Sequence, residues 1–364
     1  MSAALEYAPE NAPENAPVDA GMRDDLAKTI DRVVEAHCGK PARESAEKGE
    51  WPQQLWGALD EVGLPMAALA ESAGGSGLAF GDAMFALRRT AYHAVPVPLA
   101  ETMLASRLLA AAGIKVPEGA ITVASMTGAA KLKLSGGKLS GTVTRVPWGG
   151  QCKHALVVAE SEGKEVLALV KTEGAAGATE LNLAGEPRTV LQFKSSTVIA
   201  SAPFENASMR VLAEGALVRS VQMAGALERS LEYAITYANE RVQFGRPIGK
   251  FQAVQHMLAV LAGHVAASSA AADAAIEASD PAADEFMVAV AKARVGEAAG
   301  KSAEIAHQVH GAMGYTREHN LHYVTRRLWS WRDEFGNETY WQTRLGRMVA
   351  AKGADALWPM LTGG

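Results

Sequence analysis

An α+β fold in three consecutive parts is predicted: a helical domain, a small β domain and a C-terminal four-helix bundle. Three observations predict it. Apolar residues recur at helical spacing up to about residue 117. Short alternating runs rich in β-branched residues then continue to about 203, and helical periodicity returns and persists to the end. The expected division is a disordered tail over 1–20, a helical domain over 21–117, a β domain over 118–203 and the bundle over 204–364.

The tail contains a doubled ENAP unit with three prolines and no periodicity, a composition that does not pack. Helical patterns follow around Leu26, Ile30 and Val34, then from Trp51 to Gly63, around Met84 to Arg88, and over Glu101–Ala112. Glycines at 74, 75 and 77 and the prolines of Val95–Leu99 punctuate them. Strands are expected at 121–124, 131–134, 141–146, 155–158, 166–170, 190–193 and 197–200, forming a barrel or a sandwich. Long helices are expected over about 208–242, 251–279, 281–312 and 339–357, with a shorter one over 319–331. Asp280–Pro281 reads as the third helix's start, Asp as cap and Pro in the first turn.

At 364 residues the chain exceeds one typical core. Its net charge of −5 gives no basic excess for nucleic acid. Cys38 and Cys152, the only cysteines, exclude a disulfide framework and point to a reducing, cytoplasmic setting. The N-terminus lacks the pattern of a signal peptide. No apolar run approaches the roughly 20 residues a bilayer needs, so no membrane partner is expected. The histidines show no metal-ligand spacing, and no metal is assigned.

The chain is organised around Arg241–His256, RVQFGRPIGKFQAVQH. Gly245, Pro247 and Gly249 interrupt two helical patterns there, making a corner that carries Arg241, Arg246, Gln252 and Gln255 beside Phe244 and Phe251. R-x-x-F-G-x-x-I followed by Gln resembles the flavin-binding corner of the acyl-CoA dehydrogenase family. Three further stretches are similar to that family in the same order: Glu61–Leu78, Lys138–Ala159 and His307–Asp333.

The resemblance implies the family's layout and FAD as cofactor. It implies α,β-dehydrogenation of an acyl-CoA thioester, in which a carboxylate removes the α proton and the β hydride passes to the flavin. Electrons would leave to an electron-transferring flavoprotein. Arg241, Phe244, Gln252, Gln308, Gly311 and Gly314 match the elements that meet a neighbouring subunit's flavin. A homo- or hetero-tetramer is therefore expected. Arg241 offers a planar fork to the pyrophosphate, and the glycines let backbone approach the cofactor.

The sequence departs from the family at two places. Most members carry the catalytic Glu just before the Gly after the short helix, but here Phe335 precedes Gly336. Glu334 is the first candidate base, since Phe335 and Trp331 could raise its pKa by desolvation; Asp333 is second. Some relatives place the base on the helix before R-x-x-F-G. That position falls near Gly215, beside Glu214, the third candidate, which reads more simply as a solvated carboxylate at a helix start. The middle domain also lacks T-E-P-x-x-G-S-D, leaving Ser125 and Thr127 as stand-ins and Trp148 as either a flavin wall or a core residue. Trp329, Trp331, Tyr340 and Trp341 could line an acyl pocket or an interface. Arg317, Arg326, Arg327 and Arg332 could meet CoA phosphates. Two functions follow: a dehydrogenase with a displaced base, or a half-site partner subunit of a hetero-oligomeric acyl-CoA dehydrogenase.

Overall fold

The computed structural model describes residues 20–124 and 132–362. Five helices open the chain: α1 (Ala20–His37), α2 (Lys40–Ala46), α3 (Gln53–Glu61), α4 (Phe80–Tyr92) and α5 (Leu99–Ala111). The apolar stripes of α1, α3, α4 and α5 meet in one core, where Ile30, Leu55, Leu59, Leu87, Leu104 and Leu108 are fully buried. α2 was not foreseen; its seven residues are too few for the pattern to show.

Seven strands follow: β1 (Ile121–Ala124), β2 (Leu132–Ser135), β3 (Lys138–Pro147), β4 (His154–Ser161), β5 (Lys164–Lys171), β6 (Ala176–Leu181) and β7 (Pro187–Pro203). The path β4-β2-β3-β7-β5 returns to β4, so the sheet closes on itself as a barrel. β1 lies parallel to β4, and β6 pairs with β7. Leu132, Leu139, Val157, Ala168 and Leu191 fill the interior. Two of the expected strands, 190–193 and 197–200, are one strand, β7, which changes partner from β3 to β5 along its length. β6 escaped prediction because all six residues are exposed and carry no alternation.

The C-terminal part comprises α6 (Ala207–Glu240), the small hairpin β8 (Val242–Gln243) and β9 (Arg246–Pro247), α7 (Gln252–Glu277), α8 (Glu285–His310), α9 (Leu321–Arg332), α10 (Glu338–Lys352) and α11 (Leu357–Thr362). α6, α7 and α8 pack on one another, and α10 packs on α8. α8 starts at Glu285, not at Pro281: Asp284 caps it by accepting from the Met287 N–H at 2.8 Å. One expectation is corrected at α7, whose 26 residues are long and apolar enough to cross a bilayer by length and composition. Alanines carry that hydropathy. Leu261, Val265, Ala272 and Ala275 are its buried face, set in the bundle and the adjoining helical core.

The tail, Ser125 and Thr127 lie outside the described residues, apart from Ala20.

Candidate functional site

The predicted flavin corner forms where α6 ends. The Arg241 N–H donates to the Tyr237 carbonyl, and the Ile248 N–H donates to the Arg241 carbonyl, each at 2.8 Å. Between them the hairpin projects outward, with Phe244 at its tip at φ 51° and 92% exposed. Phe244 meets Phe251 edge-on with centroids 6.1 Å apart, and Arg246 sits 4.3 Å over the Phe251 ring. Arg241, Arg246 and Gln252 are exposed. Neither guanidinium has a carboxylate partner among the described residues.

Gln308, on the last turn of α8, is also exposed. The same turn is joined to α6 by the ring of His310, which stacks on Tyr237 at 4.6 Å. The structure thus brings the two distant motifs to one end of the bundle. Gly311 caps α8 at φ 57° and is exposed, with open space where a Cβ would be. Gly314 differs from expectation. It is buried, and a Cβ there would sit tightly against His310 and His307 of its own chain, so this glycine faces its own bundle and not an open surface. Two unpaired cations, an exposed phenyl ring and open backbone fit a polyanionic, ring-bearing cofactor supplied from outside the chain.

The two positions at which the family resemblance places a base are in contact. Gly215 lies on α6, and a Cβ built there would overlap the Phe335 ring. Phe335 is buried at φ 53°, its carbonyl accepting from the Trp341 indole at 2.9 Å. The ring therefore fills the space that Gly215 leaves, and neither position carries a carboxylate.

Glu334 turns the other way. Its carboxylate accepts from Arg188 Nε at 3.1 Å and Arg219 Nε at 2.8 Å. Burial alone would raise its pKa, but the two guanidiniums outweigh burial and hold it at about 2. The expected upward shift is reversed, because Trp331 gives its indole N–H to Glu186 at 3.2 Å and two arginines face Glu334. Asp333 is exposed. Glu214 is not solvated: it is 1% exposed, lies inside α6 and pairs with Arg210 at 2.9 Å and Arg107 at 3.3 Å.

Glu334, itself half-buried, belongs to a chain of otherwise buried charges that sequence reasoning missed. Arg219 pairs also with Glu101 on α5, and Arg188 with Glu186 at 3.1 Å. Arg327 on α9 reaches Glu186 at 3.3 Å. Three anions and three cations thus alternate, and the Glu186 carboxyl, although buried, is held low by Arg327 and Arg188. Lys292 of α8 lies close by and donates to the carbonyls of Arg332 at 2.7 Å and Gly336 at 2.6 Å.

Most of the remaining candidates serve their own chain. Trp148 is buried edge-on against Trp51 at 6.3 Å, and Trp329 stacks on His307 at 5.7 Å. Trp341 is fully buried, and Tyr340 packs edge-on against it at 5.2 Å. Arg326 binds Glu47 at 2.9 Å, and Arg332 binds Glu338 at 2.8 Å. Arg317 is exposed. No group of three or more metal-ligating side chains occurs among the described residues.

Residues 22–115 match the family model described as acyl-CoA dehydrogenase, N-terminal domain, and residues 205–337 match the one described as acyl-CoA dehydrogenase, C-terminal domain. The acyl-CoA dehydrogenase IpdE2 of Mycobacterium tuberculosis is 28% identical over 311 residues, 84% of this chain and 90% of that one. FadE34 of the same organism is 30% identical over 314 residues, 82% of this chain and 42% of its own length. Among solved structures, the ChsE4–ChsE5 complex from Mycobacterium tuberculosis superposes with a TM-score of 0.84 at 26% identity, covering 93% of this chain and 99% of that one. Butyryl-CoA dehydrogenase from Megasphaera elsdenii, at 20% identity, shares the fold with a TM-score of 0.80 over 92% of this chain and 99% of its own.

Proposed function

Because the chain belongs to the acyl-CoA dehydrogenase family, oxidoreductases acting on CH–CH bonds, we propose that it is the half-site subunit of a hetero-oligomer. In that assembly it assists the α,β-dehydrogenation of an acyl-CoA by completing a partner chain's flavin site. The observation that carries this reading is the packing of Phe335 on Gly215. A general base must stand within reach of the α proton with a pKa near the working pH. Here one base position holds a phenyl ring and the other a hydrogen atom. Glu334 is spent on two arginines, and a carboxylate held at about 2 is a weak proton acceptor.

The flavin, when bound, supplies the hydride acceptor and passes electrons to an electron-transferring flavoprotein. This chain's share is recognition. Arg241 would present its fork to pyrophosphate oxygens, Phe244 would cover an apolar ring face, and the amides of Gln252 and Gln308 would meet adenine or ribose. All four side chains point out of the chain, as a site shared with a second subunit requires. α7 adds a surface for that subunit: Ala259, Val260, Gly263, Ala266, Ala267 and Ala270 are exposed with no charge among them. A relative solved as the ChsE4–ChsE5 complex supports a two-chain assembly, here a hetero-tetramer.

The test is anaerobic bleaching of bound FAD by a panel of acyl-CoAs. The chain purified alone should give none, and the chain co-purified with a complete family member should bleach. Bleaching by the isolated chain overturns the proposal, and Glu334→Gln would then show whether Glu334 is the base.

A further inference from the structure

The turn from Arg332 to Gly336 is held in an unusual conformation. Phe335 lies at φ 53° and Gly336 at φ 86°, and a phenylalanine adopts the left-handed region only where its surroundings impose it. Lys292 grips both ends of this turn: its amine reaches the Arg332 carbonyl at 2.7 Å and the Gly336 carbonyl at 2.6 Å. Its side chain is fully buried.

The donor count bears on its protonation state. A neutral primary amine has two N–H bonds, and the structure offers two carbonyls. An ammonium would carry a third donor with no acceptor among the described residues, a costly arrangement in a buried site. The nearby carboxylates are engaged elsewhere: Glu334 by Arg188 and Arg219, and Glu338 by Arg332. Asp333 is exposed, and Arg219 repels a second cation.

We propose that Lys292 is a positioning residue whose neutral amine clamps the 332–336 turn and thereby keeps the Phe335 ring seated on Gly215. Burial pushes its pKa down to about 7, so the neutral form that the donor count favours predominates above that pH. The functional meaning rests on the half-site reading above, since the clamp is what keeps the base position filled.

Hydrogen exchange of the full chain tests the clamp without reference to flavin. In Lys292→Met, peptides spanning 332–341 should exchange on the order of tenfold faster, with barrel peptides unchanged. Unchanged exchange in the turn overturns the proposal. The neutral state has its own readout. The unfolded lysine keeps its proton up to about 10.5, whereas the native one has lost it above about 7. The Tm of wild type relative to Lys292→Met should therefore rise between pH 7 and 10. A flat or falling difference overturns it. Should the variant not fold, wild type alone suffices: after correction for intrinsic rates, the turn should be better protected at pH 8 than at pH 6, and equal protection counts against the clamp. Failure of the half-site reading would appear in flavin bleaching and leave these results untouched.

Discussion

A Cβ at position 215 has no room beside the Phe335 ring, so Gly215→Ala must push the ring or α6 aside. Overpacking of this kind costs about 1–3 kcal/mol, whereas Phe335→Ala opens a cavity costing about 3–5 kcal/mol. The double variant should cost less than the sum, because the new methyl group enters the vacated space; urea unfolding of the four proteins measures the coupling. A second residue-scale prediction concerns Glu334. Its carboxyl has an ordinary value of 4.5 and is held at about 2 in the fold, so its stabilisation is present above 4.5 and lost as pH falls towards 2. Glu334→Gln should cost about 3–5 kcal/mol at pH 7 by leaving Arg188 and Arg219 short of one charge, and should flatten acid unfolding in that window. The motif made Phe335 legible in the sequence as a departure. The partners of Glu334 were illegible, because Arg188 stands 146 residues away and Arg219 115, and neither belongs to a short motif.

Long elements with strong periodicity were readable, and their ends were less so. α6 and α7 fall within two residues of expectation, while α8 begins four residues late because Asp284 rather than Asp280 meets the helix N-terminus. The corner between α6 and α7, expected as a plain turn, is a two-stranded hairpin, because Val242 and Gln243 pair with Pro247 and Arg246. α7 presents an uncharged exposed stretch from Ala259 to Ala270, before Asp273 and Glu277 at its C-terminal end, and Val260→Glu there should lower the assembly's molar mass in light scattering with helical content unchanged. Where α6 and α8 end, His310 and His319 contact each other at 4.5 Å, with Tyr233 and Tyr237 against them. Burial pushes His319 down to about 4, helped by His310, His322 and Arg229, and lowers His310 as well. Their native pKa values lie below the unfolded 6.5, so the unfolded chain takes up protons first. Stability contributed here is therefore present above about 6.5 and lost as pH falls towards 4. After correction for intrinsic rates, acidification to pH 5 should lower hydrogen-exchange protection in 307–322 before it affects the barrel.

At the scale of the molecule, the alternating charges run from Glu101 on α5, through Arg219 on α6 and Glu334 after α9, to Arg188 and Glu186 at β7 and Arg327 on α9. The helical domain, barrel and bundle therefore share one buried polar seam beside the Phe335 turn. The order of the three parts was legible because each has its own hydrophobic period. The seam was not, since it depends on how the parts dock. Buried charges are costly to remove singly, because each loss leaves an opposite charge unpaired in a medium that solvates it poorly. Arg219 is the most exposed to this argument: it joins Glu101 to Glu334 and is 2% exposed. Arg219→Met would leave the seam with one surplus negative charge, at a cost of about 3–5 kcal/mol. The location of that cost is the sharper expectation. If the seam couples the three parts, wild type should unfold in one transition whether followed by far-UV circular dichroism, to which the helices contribute most, or by pulsed hydrogen exchange of barrel peptides. Arg219→Met should separate the two signals, the bundle melting before the barrel. Coincident melting of the variant by both probes, at a temperature lowered equally, would mean that apolar packing between the parts suffices and that the seam adds stability without joining them.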